Sequence, residues 1–422
     1  MNFYRAVLVT LVALLPLAAA DVTPKDVREA AKAGSNALPQ LQEFLKNSDL
    51  DVRIEAVKQI TQIGTLRSLD PLIGATQDND PEVQIRATDG LVNFYLPGYV
   101  QTGFASSIKR VGSSIKGKFT DTNDQVIDAY MMVRPEVIAA LGKLARGGGD
   151  TEARANAARA VGILRGKAAV PDLLEAIHSK DTDVIYESLS ALQKIRDESA
   201  APRISFLLRD FNPKVQVAAI ETTGLLQNKD AVPDLTDALN RARNAAVRRA
   251  ALTAIAMLPV PASRPLYERY LTDKDDKMRA AAAEGFARLH DPADLPMLER
   301  AWMDEGKTPP RLALAFAQAM LGKTEISEFS PLTSLINTLN SSSWEGVAFA
   351  YLVELARDER VRTALYAPLD SGTKDEKIGL ARVLGRSGDQ QSIDHLQKLS
   401  TDPDAEVAQE GTRALRTLKA RL

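Results

Sequence analysis

The sequence predicts an all-α fold, a right-handed α-α superhelix of about eleven stacked helical hairpins between residues 36 and 420. Three observations predict it: a ladder of prolines, a recurring acidic turn, and a signature in the helix after that turn. Pro39, Pro71, Pro135, Pro171, Pro202, Pro233, Pro265, Pro296 and Pro331 are separated by 32, 64, 36, 31, 31, 32, 31 and 35 residues. A period near 31 with one doubled step marks an internal repeat, and repeats of that length build solenoids rather than one globular core.

The elements follow in order. Thr23 is placed to cap a short helix over 24–33, with Pro24 at its first position and Gly34 beyond its end. Each ladder proline then opens a first helix, as in Leu173, Leu174 and Ile177 after Pro171. Proline suits the first turn because its missing N–H has no intrahelical acceptor to lose. A polar turn follows: Asn47–Asp49, Asp78–Asp80, Asp181–Asp183, Asp273–Asp275 and Asp402–Asp404. Its carboxylates accept from the unpaired N–H groups of the next helix. That second helix carries an apolar residue, often an arginine, and a small residue four places on: Val52, Arg53 and Ala56; Val247, Arg248 and Ala251; Met278, Arg279 and Ala282. The stripes Val247, Ala251, Ile255, Leu258 and Met278, Ala282, Phe286, Leu289 continue at helical spacing. A single hairpin cannot bury such a face, whereas stacked hairpins form a continuous core. The last two hairpins lack the opening proline.

The Asp/Asn-x-x-Val-Arg-x-x-Ala signature with proline-led first helices resembles HEAT repeats, of the short bacterial type also found in phycobilisome-lyase-like proteins. The resemblance covers nearly all of 36–420 outside one insertion, and it implies an armadillo-like helical fold used mostly for scaffolds and binding surfaces. The HEAT-like iron hydroxylases carry paired His-Glu motifs. Here His178, His290 and His395 are followed by Ser179, Asp291 and Leu396, so that activity is not carried over. No motif speaks for a bound tetrapyrrole.

Composition sets further bounds. The chain has 53 basic and 55 acidic residues, a net charge of −2 that argues against a general nucleic-acid binder. It has no cysteine, which excludes disulfides, thiol catalysis and thiolate metal sites. Residues 1–20 read as a secretory signal peptide: Arg5, an apolar run over 6–17, then Ala18-Ala19-Ala20 before Asp21. A retained N-terminal anchor is the alternative. The expected location is outside the cytoplasm, periplasmic or secreted, with 21–422 forming the solenoid.

Between 97 and 133 the rhythm fails. Phe104, Ile108, Val111, Ile115 and Phe119 recur at helical steps, with Lys109, Arg110, Lys116 and Lys118 off that stripe, and Tyr99 belongs to a local concentration of aromatics. Two readings stand: a degenerate repeat within the stack, or an inserted binding element. Asp121–Gln125 lacks the glycine and glutamate that a calcium loop needs.

No phosphate loop, nucleophile elbow or zinc pattern is present. The three histidines fall in different repeats and cannot converge on one metal. Arg53, Arg154, Arg248, Arg279 and Arg311 recur on one helical edge, where each is expected to bond a turn aspartate or the last carbonyls of a neighbouring helix. Arg241, Arg243, Arg248 and Arg249 form the densest basic patch. Trp302 and Trp344 lie where the second-helix signature degenerates, marking a second contact surface or a looser joint. The expected function is a non-catalytic protein-protein interaction scaffold of the bacterial cell envelope, without a cofactor or metal. Its candidate partner-binding residues are Tyr99, Phe104, Lys109, Arg110, Lys116, Lys118, Arg248 and Arg249. The alternatives are a HEAT-like lyase or hydroxylase-type enzyme using the groove, and weak membrane-surface binding through 103–119.

Overall fold

A computed structural model describes residues 22–100 and 126–422; the signal-peptide pattern and the stripe over 104–119 lie outside those residues. Every regular element among them is helical. A capping helix α1 (Pro24–Ala31) precedes eleven hairpins. These are α2 (Leu38–Phe44) with α3 (Leu50–Ile63), α4 (Leu69–Ala75) with α5 (Pro81–Tyr95), α6 (Pro135–Gly147) with α7 (Thr151–Ile163), and α8 (Val170–Ala176) with α9 (Thr182–Ile195). The fifth first helix is a 3-10 segment, Glu198–Arg209, paired with α10 (Pro213–Leu225). Then come α11 (Val232–Arg241) with α12 (Ala245–Ala256), α13 (Arg264–Tyr270) with α14 (Asp276–Leu289), and α15 (Leu295–Asp304) with α16 (Thr308–Met320). The stack ends with α17 (Pro331–Asn337) and α18 (Glu345–Leu355), α19 (Glu359–Ser371) and α20 (Lys374–Ser387), and α21 (Ser392–Leu399) and α22 (Ala405–Lys419). None of these helices is long and apolar enough to cross a membrane.

The expected caps are in place. Asp49, Asp80, Asp181, Asp275 and Asp404 each accept from a first-turn N–H of the following helix. Thr23 and Asp26 close a capping box on α1. Several prolines stand one place later than expected: α8, α11, α13 and α15 begin one residue before Pro171, Pro233, Pro265 and Pro296, after a short 3-10 turn. The reason is unchanged, since the second N–H of a helix also lacks an intrahelical acceptor.

Second helices stack on one another along the chain. The small residues of the signature, Ala56, Ala87, Ala157, Ala219, Ala251 and Ala282, are fully buried where two such helices meet. At Gly162 a Cβ would lie 2.7 Å from the Ala191 Cα, so these backbones are in direct contact.

The stack runs from α5 straight to α7. Asp89 and Asn156, both buried, join the two helices by a 2.9 Å hydrogen bond. The doubled proline step thus spans the hairpin of α4 and α5 together with the segment 97–133, most of which lies outside the described residues.

Candidate functional site

The expected arginine ladder sets the rotation between repeats. Arg53 donates to Asn47 O within its own turn and to Asp78 in the next, at 2.9 Å each. Arg279 repeats this with Asp273 O and a two-pronged bond to Glu305 at 2.7 and 3.0 Å. Arg154 and Arg311 hold carbonyls of the preceding helix. Arg362 joins the series through Ala356 O and Asp389. Arg248 does not: its side chain makes no hydrogen bond or ion pair among the described residues, and its neighbour Arg249 takes Asp275 at 2.7 Å instead. Arg241 is tied to Asp237 within its own helix. The basic patch is thus partly neutralised within the fold, and Arg249 serves the repeat-to-repeat joint.

Tyr99 lies at the edge of the described residues. It and Val100 are buried in the core, and Val100 N donates to Asn93 Oδ1 on α5. The far limb of the insertion returns at Ile127, whose N–H donates to Ile163 O at the end of α7. Both limbs are therefore rooted on second helices. Phe104, Lys109, Arg110, Lys116 and Lys118 lie outside the described residues.

A cavity of about 860 Å³ opens along the second helices α10, α12, α14 and α18. Its wall is read from the repeat itself. Counted from the N-caps Asn212, Asn244 and Asp275, the fifth, ninth and thirteenth residues face it: Val217, Glu221, Leu225; Arg249, Thr253, Met257; Ala280, Glu284, Arg288. Three-to-four spacing keeps such positions on one helical face.

One end of the cavity is closed by a polar network spanning two repeats. Arg288 on α14 donates to Glu354 on α18 at 2.9 and 2.8 Å, to Glu284 at 3.0 Å and to Ala256 O. Tyr351 donates to Glu284 at 2.6 Å and stacks on Phe316, 4.6 Å between centroids. The intervening α16 lies beneath this bridge with Phe316 fully buried. Helices two repeats apart meet only on the inside of a bend, so the second-helix side is the concave one. Burial alone would lower the affinity of the Arg288 guanidinium for its proton, but Glu354 and Glu284 reverse that and hold it cationic. Burial, then the Glu284 charge, pushes the Tyr351 hydroxyl well above its ordinary range.

Glu221 differs from the other acids. It makes no hydrogen bond or ion pair among the described residues, and burial pushes its carboxyl up to about 8. Further along the same concave face, Arg159 pairs with Glu187 across α7 and α9. Burial there lowers Lys194 to about 8, with Glu187 opposing the shift and Arg159 adding to it. Trp344 lines the cavity, while Trp302 lies outside it under Arg311, 4.9 Å from the guanidinium carbon. His178 stacks on Phe206 and His395 on Tyr366. No group of three or more metal-ligating side chains converges among the described residues.

The family model of HEAT repeats matches residues 13–94, 138–205, 200–266 and 233–319, more than half the chain. The chain belongs to the HEAT-repeat family. Among solved structures, this HEAT-repeat protein is similar to YibA of E. coli, at 15% identity over 70% of this chain and 94% of that one, TM-score 0.42. It is also similar to the complex of CpcE and CpcF of phycocyanin lyase from Nostoc sp., at 18% identity over 76% and 95%, TM-score 0.33. Importin beta matches at 14% identity over 95% of this chain and 60% of its own, TM-score 0.40. These likenesses concern the fold. No curated protein matches the HEAT-repeat chain by sequence.

Proposed function

We propose that this HEAT-repeat protein is a non-catalytic scaffold of the bacterial cell envelope that holds a segment of a partner protein in its concave groove. The observation that carries the reading is the groove wall. It combines an apolar floor of Val217, Ala250, Ala281 and Val347 with a pre-bonded Glu284–Arg288–Glu354 bridge, the mixture of apolar area and fixed polar groups that peptide recognition uses. The envelope assignment rests on the signal-peptide pattern over 1–20. The arrangement supports binding over chemistry because the network's acids and its base already satisfy one another.

Site-specific photo-crosslinking in the native cell tests this. Crosslinkers at Val217 and Val347 in the groove are compared with one at Leu66, exposed in the second hairpin. The expected outcome is one discrete protein adduct from both groove positions and none from Leu66. Adducts from Leu66 alone, or none from the groove, would reject the scaffold reading.

A further inference from the structure

We propose that the groove recognises a basic side chain, a lysine or arginine of the partner segment flanked by apolar residues, seated against Glu221. This rests on the scaffold reading above and names the chemistry of what the groove takes.

The argument starts from the charges in the groove. Deep inside, Glu284 and Glu354 share the single guanidinium of Arg288, and Glu221 stands apart with no cation. In the free groove at neutral pH Glu221 mostly keeps its proton, and an incoming cation would draw that proton off to water and pair with the carboxylate. Of the other cations lining the groove, Arg249 is held by Asp275, Arg196 donates to Leu225 O, and Lys277 and Arg357 are exposed. On the neighbouring α9, Tyr186 lies under the ammonium of Lys214, 4.3 Å from its ring centre. None of these groups bonds Glu221.

On α10 and α12 the groove wall that carries Glu221 also presents Val217, Leu225, Ala250 and Met257, with Thr253 and Arg249, and Tyr186 lies within reach of the Glu221 charge. Glu221 is partly covered there, so its carboxyl has lost part of its hydration and an incoming ammonium or guanidinium would displace less water than at an open surface. A charge-assisted hydrogen bond forms there at full strength. Apolar residues flanking the cation would cover the same aliphatic wall. An acidic side chain would set a second carboxyl against Glu221, and a wholly apolar segment would leave Glu221 without a partner.

The full-length protein tests this with the ε-methyl resonance of Met257, which lines the groove beside α10. Two probes are titrated at neutral pH: acetyl-Ala-Leu-Lys-Ala-Leu amide, and the same peptide with norleucine for lysine. The lysine peptide is expected to shift Met257 with about tenfold higher affinity, and Glu221→Gln is expected to erase that preference while melting as cooperatively as the parent. The proposal is overturned if the two peptides bind equally, if the preference survives Glu221→Gln, or if neither moves Met257 up to about 5 mM. Groove crosslinks at Val217 and Val347 that persist despite such a failure would leave the scaffold reading standing and remove only the basic-residue specificity.

Discussion

Asp128 and Arg413 stand 285 residues apart and are joined by two hydrogen bonds, from Nε at 2.9 Å and Nη2 at 2.6 Å to one carboxylate oxygen. Asp128 belongs to the returning limb of the insertion, and Arg413 is the ninth residue after the cap of α22, on the same face as Glu221 and Glu284. The pair therefore clasps the third repeat to the eleventh across the concave side. Arg413 is half exposed, so the pair is worth about 1 kcal/mol or less to stability. Arg413→Ala is expected to leave the melting temperature nearly unchanged but to raise the radius of gyration in small-angle scattering. An unchanged radius would mean that the ends are held by something else.

Arg279 and Arg248 occupy the same place in adjacent repeats with opposite consequences. Arg279 is mostly buried and bonds both its own turn and Glu305. Its removal strands a buried carboxylate and should cost about 2–3 kcal/mol in urea denaturation. Arg248→Ala should fall within about 0.5 kcal/mol of the parent. Equal losses at both sites would refute the ladder.

Glu221 sets a pH dependence whose sign follows from its shift. Its carboxyl titrates at about 8 when folded against 4.5 in the unfolded chain. Between those values the folded protein keeps a proton that the unfolded chain has lost. The contribution of Glu221 to stability therefore becomes more unfavourable as pH rises from 4.5 through about 8, and levels off above. Glu221→Gln should match the parent at acid pH and exceed it increasingly up to that plateau, as read from melting temperatures. A difference independent of pH would show that Glu221 is ionised in the groove.

At Gly285 a Cβ would lie 2.4 Å from the Tyr267 ring, which is fully buried with its hydroxyl bonded to Ile255 O at 3.0 Å. Alanine gains about 1 kcal/mol of helix propensity but must push that ring aside, for a net loss of about 1–2 kcal/mol. Gly147, at the end of α6 with open space around its Cβ position, is the control: Gly147→Ala should be neutral or stabilising.

What could be read from the sequence was what repeats every 31 residues or so and acts between neighbours. Caps such as Asp80 and Asp275, the buried alanines, and Arg53 and Arg279 all belong to that class. The groove was partly legible too, because the fifth, ninth and thirteenth positions of any second helix can be counted from its cap. The Arg288–Glu354 bridge was not legible, since a contact across 66 residues depends on how sharply the stack bends. Nor was the burial of Tyr99 beside a gap in the pattern, where no neighbouring repeat defines an inside. Arg248 was selected by its place in the signature, yet it is Arg249, one residue on, that takes Asp275.

The clasp also has an order in time. During synthesis Arg413 follows Asp128 by 285 residues, roughly 15–60 s at ordinary elongation rates, and each hairpin needs only its neighbour to form in that interval. The clasp itself must wait for α22. A chain stopped before α22 would keep most of its stacked repeats, and its secondary structure, but would remain an open arc. The arrival of α22 is thereby registered in the shape of the molecule.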